Sequence, residues 1–191
     1  MAEAVRTTFI LGGQRSGKSR RAETLARQWI DASAQHRAMM VATGQAGDAE
    51  MRERIVRHQA DRALRVPGMA TVEEPLALGE ALHRHSDAHT LIVVDCLTLW
   101  LTNLMMPADP SQARDEDAVV AAGASLCAAI AAAPGPVVLV GNEIGLGVIP
   151  LGREVRAFVD TLGRLNQAVA FACSRATLMA AGLPLTLKDS A

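Results

Sequence analysis

Cysteine is scarce in this sequence. Cys96, Cys127 and Cys173 are far apart, odd in number and without metal-ligand spacing, a pattern that excludes a disulfide framework and a zinc site. The expected setting is a reducing cytoplasm. Charge of one sign is lacking too: 19 Lys plus Arg stand against 20 Asp plus Glu, for a formal net charge of -1. The surface as a whole therefore offers no attraction to nucleic acid or to an anionic membrane, and any bound anion must meet a local site. Long hydrophobic runs are absent as well. The sequence reaches Gly12-Gly13 after one short apolar stretch, so it predicts neither a signal-peptide core nor the roughly 20 apolar residues of a membrane span. There is no internal repeat. Half of the residues are hydrophobic, enough to bury one core, and residues 1–191 are read as one compact domain.

Short apolar runs punctuate the chain. Thr7 to Leu11, Ala38 to Ala42, Thr90 to Asp95 and Val137 to Gly141 each read as a strand buried on both faces of a parallel sheet. Between them lie helical patterns. Ala22, Leu25, Ala26 and Trp29 recur at three and four within Lys18 to Ile30, and Ala118 to Ala133 is stopped by Pro134-Gly135-Pro136. Pro107 to Asp117 reads as a surface loop. Ala176 to Ala180 and Pro184 to Lys188, flanking Gly182, read as a closing strand pair at a sheet edge. Alternating strand and helix predict an α/β fold with a mostly parallel, doubly wound sheet and helices on both faces.

Gly12-Gly13-Gln14-Arg15-Ser16-Gly17-Lys18-Ser19 matches G-x-x-x-x-G-K-[ST], the P-loop that wraps nucleotide phosphates with backbone N–H groups. Gly12 and Gly17 let the backbone curl around an anion. Lys18 brings a point charge to the terminal phosphates, and the Ser19 hydroxyl is a ligand for Mg²⁺. A second acidic part is expected at the end of a hydrophobic strand, and Leu91-Ile92-Val93-Val94-Asp95 supplies it. Taken alone, such an Asp is more often a helix cap or turn former; beside the P-loop it reads as a magnesium-holding residue.

Asp48 to Arg62 reads as a polar helix on which Arg54, His58 and Arg62 recur every four residues and share a cationic face. Two readings stay open from the residues alone. One is a site that draws a triphosphate against a nucleophilic imidazole; the other is a solvated helix with Glu50–Arg54 and Glu53–Arg57 pairs. Asn142-Glu143 follows the Val137 strand and precedes Gly145 and Gly147. It is either a polar pair at the ligand end of the sheet, able to orient an acceptor, or a turn. His36, His83, His85 and His89 read as surface residues, and Trp29 and Trp100 as packing residues.

Several blocks together carry a family resemblance. They are the Gly12 to Ser19 loop continued by Arg20-Arg21-Ala22-Glu23, Ala42-Thr43-Gly44-Gln45, Arg54-Ile55 with His58 and Arg62, and Thr71 to Pro75. Asp48 with Glu50-Met51, Val94 to Leu104, Gly141 to Pro150, Arg156, Phe158 and Asp160, Gly163 with Asn166-Gln167, and Ala181-Gly182-Leu183-Pro184 with Leu187-Lys188 complete the set. In this order they resemble the bifunctional adenosylcobinamide kinase and adenosylcobinamide-phosphate guanylyltransferase family across nearly the whole chain. The resemblance implies a RecA-like P-loop NTPase core and phosphorylation of adenosylcobinamide with ATP or GTP. It further implies transfer of GMP from GTP through a guanylylated His58, with Ala42, Thr43, Gly44, Gln59, Ala60, Asp61, Arg62, Glu73 and Asp95 at the nucleotide. Mg²⁺ and a homotrimer with the corrinoid near a subunit boundary belong to the same implication. One segment departs from the pattern: Arg62 is followed by Ala63-Leu64-Arg65-Val66-Pro67 where the family usually has proline at once, so the loop after His58 is expected to be remodelled. A monofunctional P-loop kinase would share Lys18, Ser19 and Asp95 without a use for His58, and a nucleotide switch would bind GTP without a corrinoid.

Overall fold

The computed structural model describes residues 7–45, 47, 49–148 and 150–190, without the side chains of Glu50, Met51 and Arg54. Seven strands and six helices alternate: β1 (Thr7–Gly12), α1 (Lys18–Ala32), β2 (Arg37–Ala42), α2 (Ala49–Arg65), β3 (Ala70–Glu73), α3 (Leu78–His85), β4 (Thr90–Asp95), α4 (Leu97–Met105), α5 (Glu116–Ala132), β5 (Val137–Val140), α6 (Arg153–Ala172), β6 (Arg175–Ala180) and β7 (Leu183–Asp189). The strands form one sheet in the order β3-β2-β4-β5-β1-β6-β7. Every pairing is parallel except β6 with β7. This is the expected mostly parallel α/β sheet with an antiparallel edge pair.

Alternation along the strands divides the core. Phe9, Leu11, Val41, Ile92, Val94 and Leu139 face a layer made of α3, α4, α5 and α6. Ile10, Met40, Val93, Val138 and Val140 face the opposite way, onto Ala22 and Ala26 of α1. Such strands read as unbroken apolar runs because both of their faces are covered. Trp100 is 1% exposed in the first layer and donates its indole N–H to the Leu76 carbonyl at 3.0 Å. Trp29 packs differently: it is half-buried and stacks on His36, with ring centroids 3.6 Å apart and planes 3° from parallel. His36 is thus a half-buried partner of Trp29 and not the plain surface residue expected.

Three differences from the sequence reading have physical causes. Helix α2 continues to Arg65, because Val66 finds a buried place (1% exposed) and the Val66 N–H bonds to the Arg62 carbonyl at 2.8 Å. The expected start of α2 at Asp48 lies outside the described residues, as do the side chains of Glu50 and Arg54. Helix α5 begins at Glu116, inside the expected loop, since the Asp115 carboxylate caps it by accepting from the Ala118 N–H at 2.8 Å. Helix α6 lies outside the elements expected from sequence, although Phe158, Leu162, Leu165 and Val169 bury one face at four-three-four spacing.

Candidate functional site

The phosphate loop joins β1 to α1 at the carboxyl ends of the parallel strands. Gly12 is required by space: a Cβ there would lie 2.5 Å from the Met179 carbonyl and 2.6 Å from the Ser16 hydroxyl. Gly17 takes a φ of 97°, in the left-handed region that favours glycine, and directly precedes α1. The loop is held from both sides, by the Gly182 N–H donating to the Ser16 carbonyl at 3.1 Å and the Glu143 N–H donating to the Gly12 carbonyl at 3.1 Å. Lys18 donates from Nζ to the Gly13 carbonyl at 2.6 Å, lying back along its own loop. A loop followed by a helix N-terminus of this kind is suited to a phosphate group.

Ser19 and Asp95 meet. They are 76 positions apart in sequence, yet the Ser19 hydroxyl donates to Asp95 Oδ2 at 2.8 Å. Strand β5 lies between β1 and β4, so α1 has to cross it for this contact to form. The pair offers two hard oxygen donors side by side, and no group of three His, Cys, Asp or Glu side chains suited to a metal occurs among the described residues. Such a site suits Mg²⁺, which takes one or two protein oxygens and leaves its other positions to water and phosphate oxygens.

Two cavities open around this pair. One, of about 460 Å³, runs along the phosphate loop and is lined by Gln14, Lys18, Ser19, Arg57, His58 and Asn142 among others. The second, of about 120 Å³, is lined by Ala42, Gly44, His58, Gln59, Arg62 and Glu73. Ser19, His58, Asp95 and Cys96 line both. Cys96 is poorly suited to act as a nucleophile, because burial first and the neighbouring Asp95 carboxylate second push its thiol up to about 11. His58 is the α2 residue common to the two walls and is solvent-exposed.

Thr43 has a different surrounding from Ala42 and Gly44. It is fully buried; its hydroxyl donates to the Cys96 carbonyl at 2.7 Å and accepts from the Cys96 N–H at 2.8 Å, tying the end of β2 to the start of α4. The Asn103 side chain adds to the tie by donating to the Thr43 carbonyl at 2.7 Å. Asn142 lines the larger cavity while its backbone is fixed: its N–H donates to the Thr98 hydroxyl at 2.9 Å, and its carbonyl accepts from Asn166 at 3.1 Å. Glu143 turns its carboxylate to the Gly145 N–H at 2.8 Å, a turn-forming contact. Ala60 and Asp61 are exposed on α2, Asp61 on the side of the larger cavity. Sequence reasoning gave no individual role to Arg57, Cys96, Thr98, Asn103 or Asn166; Thr98 and Asn103 are polar residues inside the apolar Leu97 to Leu104 run, a signal that could have found them.

Comparison with known proteins adds four findings. The profile described as cobinamide kinase / cobinamide phosphate guanyltransferase matches residues 8–187. The bifunctional adenosylcobalamin biosynthesis protein CobP of Pseudomonas aeruginosa is 46% identical over 180 residues, covering 94% of this chain and 96% of the relative. The bifunctional adenosylcobalamin biosynthesis protein CobU of Escherichia coli K12 is 36% identical over 187 residues, covering 94% and 98%. Among solved structures, a Pyrococcus horikoshii OT3 protein from a structural project matches at a TM-score of 0.54 and 9% identity, over 96% of this chain and 86% of that one. That likeness concerns the fold alone.

Proposed function

This chain belongs to the cobinamide kinase / cobinamide phosphate guanyltransferase family, and from that premise we propose that it phosphorylates adenosylcobinamide and then guanylylates the product through His58. The observation that carries the reading is the place of His58, on the wall shared by the phosphate-loop cavity and the second cavity, with Ser19 and Asp95 common to both.

In the first step the terminal phosphoryl group of ATP or GTP passes to the hydroxyl of the corrinoid side arm. Lys18 and the N–H groups of the loop hold the triphosphate, and the work is positioning and charge neutralisation. Ser19 and Asp95 would hold Mg²⁺, which when bound neutralises phosphate charge. In the second step an imidazole nitrogen of His58 gives its electron pair to the α-phosphorus of GTP. A P–N bond forms, the bond to the bridging oxygen breaks, and pyrophosphate leaves with that pair. Arg57 and Arg62 flank His58 on α2 and supply positive charge to the departing group. An oxygen of adenosylcobinamide phosphate then attacks the same phosphorus, the P–N pair returns to His58, and adenosylcobinamide-GDP is released. The proposal includes a cytoplasmic homotrimer, as the family resemblance implies; the exposed row Leu183, Leu185 and Leu187 on edge strand β7 offers an apolar face for a subunit contact.

With GTP labelled at the α-phosphate, the parent should acquire an acid-labile, base-stable adduct that adenosylcobinamide phosphate discharges. His58→Ala should not label and should keep phosphorylation of adenosylcobinamide. A His58→Ala protein that still labels would sink the covalent step, and a parent that phosphorylates without ever labelling would leave a kinase alone.

A further inference from the structure

Helix α2 carries His58 but is held to the body of the molecule at few places. Its Val56 and Leu64 are 64% and 83% exposed, and among the described residues α1 is the element packed most closely against it. The most defined of these contacts is ionic. Arg65 Nη1 donates to Glu23 Oε2 at 2.7 Å, with the Glu23 side chain 6% exposed, and Arg65 Nη2 reaches Asp61 Oδ2 at 3.4 Å. Glu23 stands on α1, the helix that begins in the phosphate loop. The contact therefore joins the helix of the nucleophile to the helix of the phosphate site.

Helical geometry gives that contact a consequence. At about 100° per residue, Arg65 lies within about 20° of His58 on the same face, two turns further on. Ile55, Gln59 and Arg62 line the smaller cavity and Glu53, Arg57, Asp61 and Arg65 the larger. On the same wheel the first three lie about 40 to 100° to one side of His58 and the other four about 20 to 140° to the other side. His58 stands on the divide, and turning α2 about its axis decides which cavity the imidazole faces.

We infer that the Glu23–Arg65 ion pair is a positioning contact for guanylyl transfer: it fixes the rotation of α2 and so holds His58 at the junction of the two cavities. Arg65 acts through the helix, as a positioning residue. The inference rests on the proposed role of His58, and its test separates the two.

The experiment compares the parent with Arg65→Met, Arg65→Lys and the double variant Arg65→Met/Glu23→Gln. The initial rate of labelling by α-labelled GTP in Arg65→Met should fall about tenfold or more, while phosphorylation of adenosylcobinamide stays within about twofold, since misplacing a reacting group by an ångström costs on the order of 10²-fold. Arg65→Lys, which keeps a cation within reach of Glu23, should recover most of the labelling rate. Hydrogen exchange of peptides covering residues 55–65 should be faster in Arg65→Met than in the parent. The double variant removes the buried charge that Arg65→Met leaves unpaired; it should melt like the parent and still label slowly. Labelling at the parental rate in Arg65→Met, equal loss of both activities, or labelling restored by the second substitution would overturn the inference. If the parent itself never labels, the guanylylation reading fails, while faster exchange in Arg65→Met would still uphold the restraint on α2 and unchanged exchange would overturn it.

Discussion

Asp95 closes β4 with its carboxylate accepting from the Ser19 hydroxyl at 2.8 Å, so its charge would serve the Mg²⁺ proposed for the pair. Asp95→Asn keeps the size and the hydrogen bond and removes that charge. The variant is expected to require several-fold more magnesium for phosphorylation of adenosylcobinamide, measured as the concentration giving half-maximal rate; an unchanged requirement would make Asp95 a strand-end residue only. Residues of this kind are legible in sequence because a fixed spacing declares them, as Gly12 to Ser19 does. Thr43 and Glu23 are not. Their partners, Cys96 and Arg65, lie 53 and 42 positions away, and no local pattern distinguishes a threonine that ties two backbone segments from one that touches a ligand. The family resemblance placed Thr43 at the nucleotide; its hydroxyl is engaged with Cys96.

At the scale of elements, helix ends explain most of what the sequence hid. The carboxyl end of α6 is closed by a residue from another strand: Lys188 of β7 donates to the carbonyls of Ala170, Phe171 and Cys173 at 3.1, 2.8 and 2.6 Å. A cation there answers both the unpaired carbonyls and the negative end of the helix. Lys188→Met should lower unfolding free energy by about 1.5–3 kcal/mol, the range for hydrogen bonds to a charged group, as read from urea titration. A loss below about 0.5 kcal/mol would mean that water replaces the lysine at no cost. The four central strands were legible because their apolar runs are uninterrupted, whereas β3 was not, since Ala70, Thr71 and Glu73 are exposed on the sheet edge. The tie between α6 and β7 could not be seen, as it depends on two elements meeting.

The whole molecule buries two of its three thiols. Burial pushes Cys96 up to about 11, with Asp95 adding to it, and Cys173 up to about 12; in the unfolded chain both return to about 8.5. Above that value the unfolded state gives up protons that the folded state still holds, so stability present at neutral pH is lost as pH rises toward 11 and 12. The expected slope approaches about 1.4 kcal/mol per pH unit for each thiol. Urea unfolding at pH 8 and pH 10 would measure it, and Cys173→Ala should remove its share of the slope; the same slope in that variant would assign the loss to other groups. One mostly parallel sheet is foreseeable from alternating strand and helix patterns, but the order of its strands is not, because it depends on which distant runs pair.

That order has a consequence for how the chain is made. The phosphate loop lies near the start of the sequence, yet β1 is flanked in the sheet by β5 and β6, which begin at Val137 and Arg175. A nascent chain leaving the ribosome can pair β2, β3 and β4 while β1, made before them, still has no neighbour. At about 5–20 residues per second, β1 waits about 6 to 25 s for β5 and longer for β6. Over that interval Phe9, Ile10 and Leu11 remain an unpaired apolar strand, open to chaperones and to other nascent chains. Synonymous codons that slow translation after α2 would lengthen the wait and should lower the soluble yield of an unchanged protein.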